Sequence, residues 1–394
     1  MTERTLVVAA ARTPIGRYRG ALASRTAPQL ASQAIRAALR RAAIEPEAVQ
    51  RVVLGQALQA GVGQNPARQA AVEAGIPMTV PALTVNAVCL SGTAAIAHAD
   101  LLIRAGLAEA VVVGGMESMS NAPHLLRGSR GGLGFGSQPL LDAAQLDGLT
   151  DAFTGLGMGE ATDADTIRAG WDREILDTFS ASSHQRAAAA QASGILAAEI
   201  VPVTRVDGKG HVTTVSDDEG IRPDSTPEAL AHLRPAFRPD GVLTAGSSSP
   251  ISDGASALVL TSERFAERHG LHPLAAVAAC ASVAGPDTSL LEQPAAAIES
   301  ALTAAHLTLD QVKRYEINEA FASVVLASSR RLGIDLERVN IDGGAIALGH
   351  PLGMSGARLV GSLALAIAAG RATTGVAGLC GGGGQGDAVT LRVA

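Results

Sequence analysis

The sequence predicts an α/β fold made of two similar halves with an inserted segment between them. Three observations predict it. Helix-like and strand-like hydrophobic periodicities alternate near both ends of the chain. Residues 34–55 align without a gap with residues 297–318, which indicates an internal repeat. Between about Ser120 and Ser247 the composition changes to one rich in Gly, Pro, Asp and Ser.

Each half shows the same order of elements. The apolar run 6–11 predicts a first buried strand. Both copies of the repeat then read as an amphipathic helix, a turn containing Pro or Asp, and a short strand. A second helical pattern follows in each half, at 90–106 and 355–370, and each leads into an apolar strand. Such alternation predicts parallel-rich sheets, one in each half.

The middle segment is too long to be a simple connection, so we expect it to have a function of its own. It contains one clear helical pattern from Asp172 to Ala192, with Asp172 as the N-cap. Strand-like periodicity returns at 251–262 and predicts a strand that rejoins the first half. The predicted domain limits are 1–119 with 248–270 for the first half, 120–247 for the insertion, and 271–394 for the second half.

The composition excludes several classes of protein. With 394 residues, 47% of them apolar and 17% charged, the chain can bury large cores. A net charge of −6 without a basic run excludes a nucleic-acid binder. The chain contains no stretch of about 18 apolar, uncharged residues, so no membrane span is predicted. The three cysteines are far apart and odd in number, which favours free thiols in a reducing cytoplasm over disulfides or a zinc site.

Cys89 is the first candidate for chemistry. It lies where the strand-like run 84–88 meets a long Ala-rich helical pattern. Unpaired N–H groups at a helix N-terminus stabilise a thiolate, so we expect a lowered pKa and a nucleophilic role for this thiol. A buried structural cysteine is the alternative, because free cysteines are among the most buried residues.

His350 is the candidate partner of Cys89. It follows a Gly-rich loop and precedes a helical pattern, and the repeat places it in the second half roughly where Cys89 lies in the first. If the halves pack face to face, the two turns meet and bring a base to a thiol, the pair that nucleophilic catalysis needs. A loop histidine with satisfied hydrogen bonds and no catalytic role is the alternative.

Cys380 and Asn318 are weaker candidates. Cys380 follows a predicted buried strand and precedes glycines 381–384, whose bare N–H groups suit an oxyanion, although a tight connection would have the same composition. Asn318 ends the strand of the second repeat, where its amide can hold a water or an oxyanion or only form a turn. Cys280 lies in a strand-like run and is expected to be core packing.

No metal ion or nucleotide cofactor is predicted. The remaining histidines show no metal-ligand spacing. The chain also has neither a P-loop motif nor a Gly-rich dinucleotide-binding motif between a strand and a helix.

Together these segments resemble the thiolases over essentially the whole chain, and most closely the short-chain acetyl-CoA acetyltransferases. The matching motifs are 11–16, 88–92, 114–119, 318–321, 349–351 and 380–382. The resemblance implies duplicated α/β halves with central mixed sheets, helices between them and an inserted loop domain that holds CoA. It also implies a homotetramer, a dimer of dimers formed through a loop at 121–135, and the cysteine usage makes the cytoplasm its expected location.

The resemblance further implies the reaction and the roles of the site residues. Two acetyl-CoA molecules would give acetoacetyl-CoA and CoA through an acetyl group on Cys89, with no cofactor beyond the CoA thioester substrates. His350 would deprotonate Cys89, and the N–H groups of Cys89 and Gly382 would bind the oxyanion. Cys380 would remove the α-proton of the second acetyl-CoA, whose thioester oxygen would be held by His350 and by a water on Asn318.

Substrate contacts are implied in the same way. The resemblance places Arg222 at the nucleotide end of CoA and Ser249 at its pantetheine. It also places Met158, Ala320 and Phe321 at the substrate. One departure from the family pattern bears on the length of the acyl chain that the site accepts. Members of the acetoacetyl-CoA type often have a histidine just before the methionine of the insertion loop, here Met158, whereas this chain has Gly157 at that position.

Three other functions remain to be compared with this one. A degradative 3-ketoacyl-CoA thiolase for longer acyl chains is favoured by Gly157. A ketosynthase-like enzyme acting on carrier proteins predicts a second catalytic histidine, where this chain has Asn318. A CoA-binding protein without catalytic activity would lack part of the catalytic set. This chain has all four of its residues, which are Cys89, His350, Cys380 and Asn318.

Overall fold

The structure, a computed structural model, describes residues 3–206 and 210–394, so residues 207–209 of the predicted insertion lie outside the described residues. The strands are β1 (Thr5–Arg12), β2 (Gly16–Arg17), β3 (Arg51–Gly55), β4 (Ala82–Val85), β5 (Ala110–Ser118), β6 (His124–Leu125), β7 (Leu141–Asp142), β8 (Val203–Val206), β9 (Val212–Val215), β10 (Ser252–Ser262), β11 (Ala275–Ala284), β12 (Arg314–Ile317), β13 (Thr374–Gly381) and β14 (Gln385–Arg392). The helices are α1 (Ala27–Ala42), α2 (Pro66–Glu73), α3 (Ser91–Arg104), α4 (Met158–Arg168), α5 (Arg173–Ala192), α6 (Ile195–Glu199), α7 (Pro227–Ala231), α8 (Glu263–Arg268), α9 (Gln293–Ala304), α10 (Ala322–Leu332), α11 (Ala345–Leu348) and α12 (Leu352–Ala368).

The two halves repeat one strand order. In the first half the order is β1, β10, β5, β3, and in the second it is β11, β14, β13, β12. In each half the last pair is parallel and the two pairs before it are antiparallel. The predicted duplication of an α/β unit is therefore confirmed, and the sheet is mixed.

Two details of the sheet prediction are wrong. The sheet is not parallel-rich, because β14 follows β13 through a tight turn and β10 runs antiparallel to both β1 and β5. The halves also do not keep separate sheets. Strand β1 pairs with β11 through Leu6–Ala276 and Val7–Ala275, so the described strands of both halves join into one ten-stranded sheet. This pairing satisfies backbone groups that would otherwise form an open edge.

Helices α3 and α12 pack against each other between the two halves. Both contact β5, and α12 also contacts β13. A Cβ on Gly92 would lie 2.6 Å from the backbone nitrogen of Ala357, and a Cβ on Gly356 would lie 2.7 Å from that of Thr93. Only glycine permits such close approach of two helix backbones. The turns that precede these helices are thereby brought together.

The insertion packs mainly on the second half. Helix α5 contacts α10 and α11, and Asp172 caps it by accepting a hydrogen bond from the N–H of Ile175, as predicted. Strand β10 pairs with β1 and β5 of the first half. The limits 1–119 with 248–270, 120–247 and 271–394 stay a prediction.

A buried arginine connects the first strand to the insertion. Arg12 is 2% exposed, and its guanidinium contacts Glu199 at 2.8 Å and Asp218 at 2.7 Å. Both carboxylates raise the pKa of Arg12 against the effect of burial. We expect Arg12→Met to lower the free energy of unfolding by about 3–5 kcal/mol, because it leaves two buried carboxylates without their cation. Denaturant unfolding measures this loss.

The exposed ion pair of Arg4 with Glu263 supplies the control. Its atoms approach to 2.6 Å, but both side chains are more than a third exposed. Arg4→Met is expected to cost less than about 1 kcal/mol. Equal losses in the two variants would contradict the role given to Arg12.

Candidate active site

Cys89 lies in a strained turn between β4 and α3. The residue before it, Val88, has φ 52°, which is a rare conformation for a β-branched residue and costs about 1–3 kcal/mol. The Ser91 hydroxyl holds the turn by donating to the carbonyl of Val88 at 2.7 Å and accepting from the N–H of Ala87 at 2.9 Å. The turn places Cys89 at the wall of a cavity.

This cavity has a volume of about 610 Å³ and brings together residues from both halves and the insertion. Cys89, His350, Cys380 and Gly382 line it. Its apolar lining includes Leu149, Met158, Phe237, Leu290, Phe321 and Leu352. Two thiols and an imidazole therefore face one largely apolar space, which is a setting suited to acyl chemistry.

The pKa of Cys89 is raised, whereas the sequence predicted a lowered value. Burial raises it to about 12, and the charge of Glu117 acts in the same direction. The backbone N–H groups of Cys89 itself and of Gly382 partly oppose this rise. The predicted lowering was wrong because helix α3 begins only at Ser91 and desolvation outweighs the N–H groups. Cys89 thus rests as a thiol and needs a base.

His350 can serve as that base. It lies between α11 and α12 and is 6% exposed. Burial, together with the nearby charge of Arg358, lowers its pKa to about 4, so the ring is neutral at pH 7. Its Nδ1 lies 2.6 Å from the hydroxyl oxygen of Ser355. The structure therefore brings a neutral imidazole to the cavity that holds Cys89.

Asn318 directly follows β12 and contacts the same ring. Its Nδ2 lies 3.4 Å from Nε2 and 3.5 Å from Nδ1 of His350. Its Oδ1 is buried and has no hydrogen-bond partner among the described residues. A buried amide with an unused acceptor beside the imidazole is able to hold a water molecule there.

Cys380 is the second thiol of the cavity. It lies near the end of β13, is 1% exposed, and has a pKa raised by burial and by nearby Cys89. The glycines after it form the turn to β14, in which Gly383 and Gly384 have φ 79° and 70°. The turn itself therefore requires these two glycines, whereas Gly382 contributes its N–H to the site.

Cys280 lies elsewhere. It is partly buried in β11 and lines a separate shallow cavity with Ala97 and Arg104. It packs against the core that α3 and α12 share, in line with the packing role expected for it.

The predicted substrate residues divide into two groups. Met158, Ser249, Ala320 and Phe321 all line the cavity. Ser249 donates both its N–H and its hydroxyl to the carbonyl of Ala320, at 3.1 and 3.0 Å. Arg222 is exposed and does not line the cavity, and its backbone N–H donates to Nδ1 of His184.

Two residues of the site were missed in the sequence. Glu117 is fully buried, and its carboxylate accepts the N–H groups of Ala57, Leu58 and Gly353, so it connects the first half to the start of α12. Burial raises its pKa to about 7. The sequence did contain a signal for Glu117, because it is a charged residue inside an apolar strand pattern. Ser355 is the second missed residue. Its position one helical turn after the pair His350-Pro351 was the only feature of the sequence that pointed to it.

The lowered pKa of His350 predicts an unusual acid limit for proton transfer from Cys89. The ring accepts a proton only when it is neutral, and its pKa in the folded protein is about 4 rather than 6.5. The single-turnover rate of acyl transfer to Cys89 is expected to change little through pH 6.5 and to fall near pH 4. Rapid quenching across this pH range measures it.

A second buried histidine supplies the control. The pKa of His184 is also lowered to about 4 by burial, but it contacts neither thiol. His184→Gln is expected to leave the acid limit unchanged. Because the unfolded chain binds protons below pH 6.5 that the folded chain does not, stability declines over the same range, and circular dichroism must show folded protein at each pH. An acid limit near pH 6.5 would contradict the lowered pKa.

Other kinds of site receive no support within residues 3–206 and 210–394. No group of three or more His, Cys, Asp or Glu side chains there is arranged to hold a metal ion. No helix in that part of the chain is long and apolar enough to cross a membrane.

Known proteins resemble this chain in sequence and in fold over nearly its whole length. The family "Thiolase, N-terminal domain" matches residues 5–264, and "Thiolase, C-terminal domain" matches residues 271–393. A Mycolicibacterium smegmatis protein named probable acetyl-CoA acetyltransferase is 51% identical over 387 residues, covering 98% of this chain and 100% of that protein. An acetyl-CoA acetyltransferase of Chromobacterium violaceum is 44% identical over 386 residues, covering 98% of each.

Solved structures agree with these relatives. The crystal structure of the Bacillus anthracis acetyl-CoA acetyltransferase superposes with a TM-score of 0.97 at 37% identity, covering 100% of this chain and 99% of that one. The crystal structure of human mitochondrial 3-ketoacyl-CoA thiolase superposes with a TM-score of 0.95, with the same identity and coverage.

The fold and the comparisons define an acyltransferase enzyme. This chain belongs to the thiolase family, and the family predicted from its motifs is confirmed.

Proposed function

We propose that this thiolase catalyses the acetyl-CoA C-acetyltransferase reaction, the reversible Claisen condensation of two acetyl-CoA molecules to acetoacetyl-CoA and CoA. The observation that carries the proposal is the cavity in which Cys89, Cys380 and His350 face one another. One thiol suffices for acyl transfer, but carbon–carbon bond formation also needs a group that removes an α-proton. The names of the relatives support an acetyl group as the acyl unit.

The first half-reaction uses Cys89 and His350. The thiol proton moves to the imidazole, and the sulfur attacks the carbonyl carbon of acetyl-CoA. The N–H groups of Cys89 and Gly382, which act on the sulfur by lowering its pKa, then bind the oxyanion, each for about 3–4 kcal/mol of barrier. CoA leaves as a thiolate and takes the proton of Cys380, whose raised pKa makes it a thiol at rest. The products are acetyl-Cys89, imidazolium and the Cys380 thiolate.

The second half-reaction reverses these proton transfers. The Cys380 thiolate takes the α-proton of a second acetyl-CoA, and the protonated His350 with a water on Asn318 binds the enolate oxygen. The enolate carbon attacks acetyl-Cys89. Cys89 then leaves as a thiolate and takes its proton back from His350. Atoms and charges balance, and the protein returns to its resting state without a bound cofactor.

The apolar lining of the cavity and Gly157 favour a second candidate, a degradative 3-ketoacyl-CoA thiolase for longer chains. Thiolysis of four-carbon and ten-carbon 3-ketoacyl-CoA substrates separates the two. We expect a higher kcat/KM for the four-carbon substrate. A higher value for the ten-carbon substrate would replace the first proposal with the second.

We also propose a cytoplasmic homotetramer, assembled as a dimer of dimers, that binds acetyl-CoA through Ser249, Met158 and, at the nucleotide end, Arg222. The loop predicted for assembly supports this, because it exposes large apolar side chains at Leu126, Leu133 and Phe135. The mass in solution by light scattering tests the tetramer. A dimer at micromolar concentration would contradict it.

A further inference from the structure

We propose that Ser355 is a positioning residue that sets the tautomer of His350, so that Nδ1 carries the proton and Nε2 is free to act as the base. The proposal rests on the proposed role of His350. It is carried by the hydrogen bonds of one buried hydroxyl group, which is 1% exposed.

The hydroxyl group of Ser355 has one proton and two contacts. Its oxygen lies 2.9 Å from the carbonyl oxygen of Pro351, four residues earlier in the chain, and 2.6 Å from Nδ1 of His350. A carbonyl can only accept, so both contacts are hydrogen bonds only if the serine proton goes to Pro351. The serine oxygen then accepts at its other contact, and Nδ1 of His350 must be the donor. A neutral imidazole with its proton on Nδ1 has its lone pair on Nε2.

No other contact of the ring distinguishes its two nitrogens within the described part of the chain. Asn318 lies at 3.4 and 3.5 Å from them, which is nearly symmetric. Arg358 acts on the ring through its charge and forms no hydrogen bond to it among the described contacts. The choice of tautomer therefore falls to Ser355.

The frame around this contact is rigid. The N–H of His350 lies 3.3 Å from the hydroxyl oxygen of Ser252. Gly349 has φ 116°, and a Cβ there would lie 2.5 Å from that same oxygen. On the other side, Gly356 fixes α12 against α3. The ring and Ser355 are thus held at a set distance before any substrate binds.

Loss of this contact is expected to lower the rate of acetylation without weakening substrate binding. Ser355→Ala removes the acceptor, so the ring populates both tautomers, and only one is a base at Nε2. Groups that orient a metal-ligating histidine are commonly worth about 10–100-fold in affinity or activity, and Ser355 would orient His350 in the same way. We expect a loss of that size in the single-turnover rate of CoA release, with KM for acetyl-CoA changed by less than about twofold.

Two variants serve as controls. Ser355→Thr retains a hydroxyl that can bond to the same carbonyl, so it is expected to recover most of the rate. Ser362→Ala removes another buried serine two turns further along α12, at 8% exposed, and is expected to leave the rate unchanged. Together they separate loss of the acceptor from a general disturbance of the helix.

The tautomer itself is read by ¹⁵N magic-angle-spinning NMR of histidine-labelled protein, with His350 assigned from the difference spectrum of His350→Asn. The expected result is a protonated Nδ1 in the resting protein and a mixture in Ser355→Ala. A resting protein protonated at Nε2 would overturn the proposal, as would an unchanged spectrum and rate in Ser355→Ala. If Ser355→Ala does not fold, the resting spectrum decides alone. Because that spectrum needs no substrate, a protein that never releases CoA would refute the proposed function and leave this result intact.

Discussion

Cys89→Ala is expected to abolish both CoA release from acetyl-CoA and formation of acetoacetyl-CoA. In the proposed mechanism the sulfur of Cys89 accepts the acetyl group, and the N–H groups of Cys89 and Gly382 act on that sulfur by lowering its pKa. Removing a catalytic nucleophile costs roughly 10⁴-fold or more in kcat. Free CoA, measured with a thiol reagent after rapid separation from the protein, reports the first half-reaction alone.

Cys280→Ala is the matched control for this variant. Cys280 is also partly buried, but it lies in β11 beside a separate cavity. Its replacement is expected to leave kcat within about twofold and to cost at most about 1 kcal/mol of stability. If Cys280→Ala lost activity as Cys89→Ala does, or if Cys89→Ala kept it, Cys89 would not be the nucleophile.

Cys380→Ala is expected to separate the two half-reactions. In the proposed mechanism, acetylation of Cys89 uses His350 and the N–H groups, which this variant retains, so one acetyl group per chain is still expected to form. Condensation needs the base that removes the α-proton, and loss of a general base costs about 10²–10⁴-fold. Acetyl-enzyme is therefore expected to accumulate while acetoacetyl-CoA formation falls by that factor.

The measurement is the ratio of protein-bound acetyl to acetoacetyl-CoA over time. Because the proposed mechanism also has Cys380 protonate the leaving CoA, acetylation itself is expected to slow as well, but by less than condensation. Equal loss in both half-reactions would assign Cys380 to the first step only. Full condensation activity would remove it from the mechanism.

Much of the site could be predicted because the internal repeat carries spatial information. Once residues 34–55 and 297–318 are recognised as equivalent, Cys89 and His350 fall at corresponding turns before α3 and α12. The glycines of those helices then allow the close packing that brings the turns together. The type of fold and the family followed from the same pattern and were confirmed.

The features that were missed depend on long-range packing. The thiol of Cys89 was expected to be acidic, but burial by residues from both halves raises its pKa instead. The joining of the two half-sheets rests on only two paired residues in each of β1 and β11, which no periodicity reveals. The contact between Ser355 and His350 depends on side-chain conformations, and Glu117 acts on backbone N–H groups distant in sequence.

Mass spectrometry of the acetylated protein shows which residue carries the acetyl group, and we expect it to be Cys89. Intact protein is incubated with acetyl-CoA, quenched in acid and digested. One added acetyl group per chain is expected, located on the peptide that contains Cys89 and absent from Cys89→Ala. An acetyl group on Cys380 or Cys280 instead, or no acetyl group on a protein that still forms acetoacetyl-CoA, would contradict this expectation.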